Sequence, residues 1–215
     1  LLTLFKCIRS REDLRTMKTK AFLILAALLM ALGASAQRLC ASLSLGGLVC
    51  TPSEVGARIG YKFGPTLQYY FSSKERTGFL ETGMILTGKG WSGCEFLRNP
   101  ETKLAANYLE FPVHIGYAVP LRHKVRFIDS MGPYFAVGLW GSIDGNYLSY
   151  EGRDLFKNKI YQRFDCGWGI SAGIELPGHQ RLSAGFEMSI VNPFKEPADI
   201  NPSDRNISLT LSRPM

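Results

Sequence analysis

The sequence predicts an all-β fold, an eight-stranded antiparallel up-and-down transmembrane β-barrel. Three observations predict it: an N-terminal export signal, long segments in which apolar and polar residues alternate, and turn-rich breaks that differ systematically in length. No apolar run after residue 36 approaches the ~20 residues that a membrane helix needs. Insertion into a bilayer would therefore have to use strands.

The export signal begins at Met17. Lys18 and Lys20 are followed by an apolar run from 21 to 32 and by a small-x-small ending at Ala34 and Ala36. These are the three parts of a secretory signal peptide, and the run is too short for a transmembrane anchor. We therefore expect 17–36 to be a signal peptide, 1–16 to be an overextended start outside the mature protein, and 37–215 to form the barrel.

Most of the basic character of the chain lies in this leader. The chain carries a formal charge of +7, but residues 1–36 hold six of its 25 basic and two of its 18 acidic residues, which leaves +3 for 37–215. No basic stripe of the kind that binds nucleic acid remains. A nucleic-acid partner is therefore not expected.

Eight strands are predicted, and the boundaries of the first two are the least defined by the pattern. In 55–71, Tyr61, Phe63 and Leu67 share one parity and Lys62 and Gln68 the other, as neighbouring side chains of a strand do. This segment is long for a crossing of ~9–11 residues, so we expect it to project above the bilayer or to bend at Gly64-Pro65. The eight predicted strands are 39–49, 55–71, 79–89, 108–119, 125–143, 163–176, 181–191 and 206–215.

The later strands alternate most clearly. In 163–176 every position from Phe164 to Leu176 of one parity is apolar, and the other parity holds glycine, serine and charge. In 125–143 Asp129 shares its parity with Phe135, and a β-bulge near Gly132-Pro133 is predicted to resolve this conflict.

Two features favour a membrane barrel over a soluble one. The polar parity is rich in small residues, which suits a narrow interior, and long and short breaks alternate, as extracellular loops and periplasmic turns do. The short breaks are Ser72–Thr77, Pro120–Lys124 and Pro177–Gln180, and the long ones are Gly90–Asn107, Asp144–Gln162 and Asn192–Arg205. We therefore expect apolar side chains such as Leu109, Phe164, Ile170 and Phe186 to face lipid, and Glu110 and Glu175 to face inward.

The inward charges are predicted to pair into a structural network that fills the barrel, because a barrel of eight strands is just wide enough for side chains. A selectivity ring or a proton relay is the functional alternative. The predicted network consists of Arg58, Lys62, Glu81, Glu110, His114, Arg163, Asp165, Glu175 and Glu187.

The long third loop carries four aromatic residues with mixed charge, Tyr147, Tyr150, Phe156 and Tyr161. These residues are a candidate contact surface for a partner, although packing of the loop on the barrel rim explains them equally well.

The four cysteines after residue 36 are Cys40, Cys50, Cys94 and Cys166, and export would place them in an oxidising compartment. A disulfide between Cys94 and Cys166 is one candidate, since both lie near long loops, although Cys50 also lies near that rim. Neither a metal site nor a cofactor is expected. His123 and His179 fall in short turns and His114 in mid-strand, so catalysis is not expected either.

Several segments resemble the PorT-like outer-membrane β-barrel family of Bacteroidota, often labelled "porin family protein". They are Tyr108–Val113, Met131–Tyr134, Arg163-Phe164-Asp165 and the final strand from Asn206. The resemblance implies an eight-stranded outer-membrane barrel, some of whose relatives serve gliding and secretion machinery. One departure is the ending Arg213-Pro214-Met215, where the family has aromatic residues that the insertion machinery recognises.

The expected function is that of a non-enzymatic outer-membrane barrel with a structural, surface-binding or secretion-assembly role. Its expected partners are outer-membrane lipid, the insertion machinery and an envelope or secretion-system protein. Two alternatives stay open: a periplasmic lipocalin-like carrier of an apolar ligand, and a small-solute pore.

Overall fold

The computed structural model describes residues 39–51, 56–72, 77–94, 99–144, 155–157, 161–192 and 205–215, with the backbone alone at 93–94, 99–102 and 144. The predicted signal peptide and the segment before it lie outside these residues. In the described part of the chain, no helix is long and apolar enough to cross a bilayer.

The described residues form one antiparallel sheet that closes on itself. Its strands are β1 (Leu39–Cys50), β2 (Arg58–Tyr70), β3 (Thr77–Gly83), β4 (Ile85–Cys94), β5 (Asn99–Pro120), β6 (Arg126–Asp144), β7 (Phe164–Glu175), β8 (Arg181–Ser189) and β9 (Arg205–Pro214). Strand β1 pairs with β9 on one side and with β2 on the other, which closes the ring.

Strands β3 and β4 form a single crossing that is interrupted at Met84. Both pair with β2 and with β5 in a register that is continuous across the interruption. This register places Pro65 opposite Met84 and Pro112 opposite Gly83. Since proline has no N–H to donate, fewer backbone hydrogen bonds join the strands at this point, but the strand does not change direction. The barrel therefore has eight crossings, and the predicted fold class is confirmed.

The third and fourth crossings are longer than predicted, so the predicted long break Gly90–Asn107 is wrong. Strand β4 continues to Cys94, β5 begins at Asn99, and the two pair as a hairpin. The extension was missed because Trp91 and Leu104 point inward and are buried. At this level of the barrel the apolar side chains face the interior, whereas the inward side chains in the middle of the barrel are mostly polar or charged.

The predicted bulge near Gly132-Pro133 is also wrong. The register between β6 and β7 is unbroken from Arg126 to Val137, and Asp129 faces outward with its apolar neighbours. The register shift lies higher in β6, where Leu139 and Trp140 are consecutive and both exposed. Strand β2, in turn, runs unbroken through Gly64-Pro65.

The apolar wall faces outward, as expected. Phe164 is 50 % exposed and Ile170 is 53 % exposed, whereas Glu110 and Glu175 are 1 % and 3 % exposed. An apolar belt over a charged interior is the arrangement of a membrane barrel and the reverse of a soluble one.

Two apolar clusters occupy the ends of the interior. The upper cluster lies at the end where the links 145–163 and 190–204 join strands, and it consists of Trp91, Leu104, Ala106, Tyr108, Tyr134, Ala136, Ile143, Leu155, Phe156 and Tyr161. The lower cluster lies at the short-turn end and consists of Tyr70, Phe79, Ala118 and Ile128, with Cys40 packed against it. The charged residues lie mainly between these clusters.

Candidate functional site

The charged centre of the barrel is built around Glu110. One of its carboxylate oxygens lies 2.9 Å from Lys62 Nζ, and the other lies 3.3 Å from Lys89 Nζ. Lys62 also pairs with Glu187, and Lys89 lies 3.3 Å from Asp165. Strands β2, β4, β5, β7 and β8 each supply one of these groups, so the ion pairs connect non-neighbouring parts of the wall across the interior.

Neutral donors and rings complete the upper side of this centre. Ser189 Oγ donates a 2.5 Å hydrogen bond to Asp165, and the Tyr134 hydroxyl lies 3.3 Å from the same carboxylate. Lys89 Nζ lies 4.5 Å from the centroid of the Tyr134 ring and 5.7 Å from that of Tyr108. The ammonium group is therefore held by two carboxylates and by the faces of two rings.

A second set of ion pairs lies toward the short-turn end. Arg181 pairs with Glu81 at 2.6 Å, and Glu81 accepts a 2.6 Å hydrogen bond from Gln68.

A third group, at the level of the lower cluster, is centred on Glu175. This carboxylate pairs with Arg126, lies 2.9 Å from His179 Nδ1, and is 3.2 Å from the Tyr70 hydroxyl. Burying so many charges is tolerated because nearly all of them have an opposite charge or a hydrogen bond within reach.

A cavity of about 80 Å³ lies between the first two sets of ion pairs. Its charged and imidazole lining comprises Lys62, Glu81, Glu110, His114, Arg181 and Glu187. The rest of the lining is mostly small and polar, which agrees with the glycine and serine parity in the sequence.

Seven of the nine residues predicted to form the interior network lie inside the barrel: Lys62, Glu81, Glu110, His114, Asp165, Glu175 and Glu187. Two do not join it. Arg58 is only partly buried and donates a 2.6 Å hydrogen bond to the Leu104 carbonyl at the upper end. Arg163 precedes β7, is exposed, and lies 5.8 Å from the centroid of the Phe156 ring.

The prediction missed three interior cations: Lys89, Arg126 and Arg181. The inward parity of Arg181 was visible in its strand. Lys89 fell at the predicted end of a strand that in fact continues, and Arg126 lies at the edge of a turn.

Two aromatic residues of the predicted loop contact surface are buried instead. Phe156 and Tyr161 are 4 % and 3 % exposed and belong to the upper cluster. Gly138 makes room for Phe156, because a Cβ at position 138 would lie 2.4 Å from the Phe156 ring. The contact-surface prediction is therefore wrong for these two, while Tyr147 and Tyr150 lie outside the described residues.

The predicted disulfide is not formed in the structure. Cys166 is a free thiol on the outward parity of β7, between Phe164 and Trp168. The side chain of Cys94 lies outside the described part of the chain.

The three described histidines lie in different surroundings. His179 Nδ1 contacts Glu175 and Arg126, His123 is exposed in a turn, and His114 lines the central cavity. Within the described ranges none of them is hydrogen-bonded to a serine or cysteine side chain, and no group of His, Cys, Asp and Glu could hold a metal ion.

Solved structures of similar fold cover most of this chain. The outer-membrane enzyme PagL matches with 13 % identity over 80 % of this chain and 99 % of its own, at a TM-score of 0.48. Neisserial surface protein A matches with 13 % identity over 82 % and 97 %, at 0.46. Ail, the attachment invasion locus protein of Yersinia pestis, solved with a heparin analogue, matches with 10 % identity over 82 % and 97 %, at 0.43. These likenesses concern the fold alone.

Among curated proteins, none matches the sequence significantly. The family model described as outer membrane protein beta-barrel domain matches residues 33–195, which is most of the chain. With a closed ring of strands, an outward apolar wall and a charged interior, the chain belongs to this family of outer-membrane β-barrel proteins.

Proposed function

We propose that the protein is a non-enzymatic barrel with a structural and surface-binding role in the envelope, and that it resembles the PorT-like proteins in this respect. The observation that carries the proposal is the filled interior. Ion pairs cross the middle of the barrel, and an apolar cluster lies above and another below them.

This filling argues against the two alternatives. A carrier of an apolar ligand needs an apolar cavity, but the central cavity of about 80 Å³ is lined by Lys62, Glu81, Glu110, Arg181 and Glu187. A pore needs a continuous aqueous path, whereas Phe156 and Tyr161 pack into the upper mouth.

The upper end is the proposed contact surface for an envelope or secretion-system partner. It carries the two longest links between strands, 145–163 and 190–204. Loops on a rigid scaffold are the usual place for binding residues. The insertion machinery is the second proposed partner, and export through a cleaved signal peptide at 17–36 is part of the same proposal.

Planar-bilayer recording tests the filled interior. We expect the reconstituted protein to pass no measurable current. The matched control is a variant in which Lys62, Glu110 and Glu187 are all replaced by serine. These substitutions enlarge the central cavity, so the variant shows how a barrel with a less filled interior behaves in the same recording. Its folding is checked by heat-modifiable migration on gels. Stepwise conductance of the unmodified chain would establish a pore and overturn the proposal.

Incubation with lipids extracted from the envelope tests the absence of enzymatic activity. We expect mass spectrometry to detect no new lipid species. A product that forms with the unmodified chain and disappears in His114→Ala or His179→Ala would identify an enzyme.

A further inference from the structure

We propose that the β5–β6 turn is a binding site for the phosphate of anionic phospholipid, formed by Arg122, His123 and Lys124. This site goes beyond the envelope role proposed above and does not depend on which partner the upper end binds.

The three residues are consecutive, exposed and unopposed. They form the tight turn between β5 and β6, and none of the three side chains has an ion-pair partner among the described residues. Positive charge in this turn is therefore available to an external anion.

The described acids near this end do not neutralise the turn. Glu175 is buried and already pairs with Arg126 and His179. Asp129 faces outward from β6 and has no ion pair with the turn.

The turn lies at the edge of the apolar wall. Leu121, directly before it, is 53 % exposed, and Phe127 and Leu176 are exposed at the same end of β6 and β7. These apolar side chains mark where the hydrocarbon ends. Basic side chains placed next to that boundary reach the level of lipid phosphates, where arginine and lysine bind as a fork and as a point charge.

The backbone of the turn does not favour the lysine that it contains. His123 and Lys124 have φ values of 60° and 61°, in the left-handed region that glycine and asparagine adopt most easily. The turn is closed by a 2.7 Å hydrogen bond from Leu121 N–H to the Val125 carbonyl. The backbone conformation does not account for a lysine at this position, whereas a role of its ammonium group in binding an anion does.

Nitroxide quenching at the turn tests the proposal. The Leu121→Trp variant is reconstituted in vesicles that contain spin-labelled phosphatidylglycerol or spin-labelled phosphatidylcholine, and the chain without this substitution serves as the blank for the three native tryptophans. We expect phosphatidylglycerol to associate at the turn about five-fold more strongly, the preference that one interfacial basic residue gives.

The preference should disappear in Arg122→Gln/His123→Asn/Lys124→Asn. Asparagine accepts the left-handed backbone, and heat-modifiable migration verifies that the variant is folded. The matched control is Lys103→Gln/Arg205→Gln, which neutralises exposed basic residues at the opposite end and should keep the preference. Equal quenching by the two lipids in the parent, or a preference that survives the triple substitution, would overturn the proposal.

Inorganic phosphate distinguishes a lipid site from a site for the free anion. Millimolar phosphate, compared with chloride at equal ionic strength, should leave the lipid preference unchanged. If phosphate abolished it, the turn would be a site for soluble phosphate, and the lipid proposal would be wrong.

Discussion

Lys89 shows how a single buried charge is held in this interior. Its side chain is 2 % exposed, and it lies between Glu110 and Asp165 under the rings of Tyr108 and Tyr134. Asp165 depends on it more than Glu110 does, because Glu110 also pairs with Lys62, and a buried carboxylate without a counter-charge is costly.

Replacing Lys89 by methionine should therefore destabilise the barrel. We expect a loss of about 3–5 kcal/mol in the free energy of unfolding, since Glu110 and Asp165 each lose a cation. Urea unfolding in lipid vesicles measures it. Lys103→Met, at an exposed site on the neighbouring strand, is the control and should change the free energy by less than about 0.5 kcal/mol. Similar stabilities for the two variants would show that the interior pairs contribute little.

Part of the link between β6 and β7 packs inside the barrel. Gly138 and Gly141 lack the side chains that would collide with Phe156 and Leu155, and Leu155 N–H donates a 3.2 Å hydrogen bond to the Gly141 carbonyl. Tyr108 and Phe156 meet edge to face at 5.6 Å. The described part of this link therefore closes the upper mouth.

Gly138→Ala should displace this segment without opening the barrel wall. The added Cβ would lie 2.4 Å from the Phe156 ring, so Phe156 has to leave its position. Chymotrypsin should then cleave the folded variant after Phe156, as identified by mass spectrometry, while the unmodified chain resists at that bond. Gly47→Ala is the control, because nothing lies within 4 Å of its new Cβ. Equal protection of Phe156 in both variants would contradict this account.

The whole molecule is organised by the contrast between its two faces. The outward positions of β7, from Phe164 to Ile174, are apolar, and the inward positions hold Asp165 and Glu175 with small residues between them. The outward face contacts lipid, and the charged side chains of the inward face are paired with opposite charges.

The orientation predicts a depth-dependent cost for an outward arginine. Ile170→Arg, in the middle of β7, should cost about 2–4 kcal/mol of folding free energy in vesicles, whereas Ile59→Arg, near the start of β2, should cost about 0–1 kcal/mol. Urea titration of both variants measures the difference. Equal costs at the two depths would mean that the belt does not face hydrocarbon.

The alternation of the sequence determined the number of crossings, their order and the face that most residues of the predicted strands take. Strand periodicity is local, because neighbouring side chains of a regular strand point to opposite faces. Seven of the predicted interior residues could therefore be identified without coordinates.

Only the tertiary structure decided where the polar interior gives way to the apolar upper cluster and which charged residues form ion pairs. Trp91 and Leu104 look like loop residues in the sequence because their apolar side chains fall on the parity that is polar elsewhere, but in the structure they are strand residues buried with Phe156 and Tyr161 in the upper cluster. The pairing of Lys89 with Asp165 joins residues 76 positions apart. Closure of the ring brings these residues together, and the cost of burying an unpaired charge selects their partners.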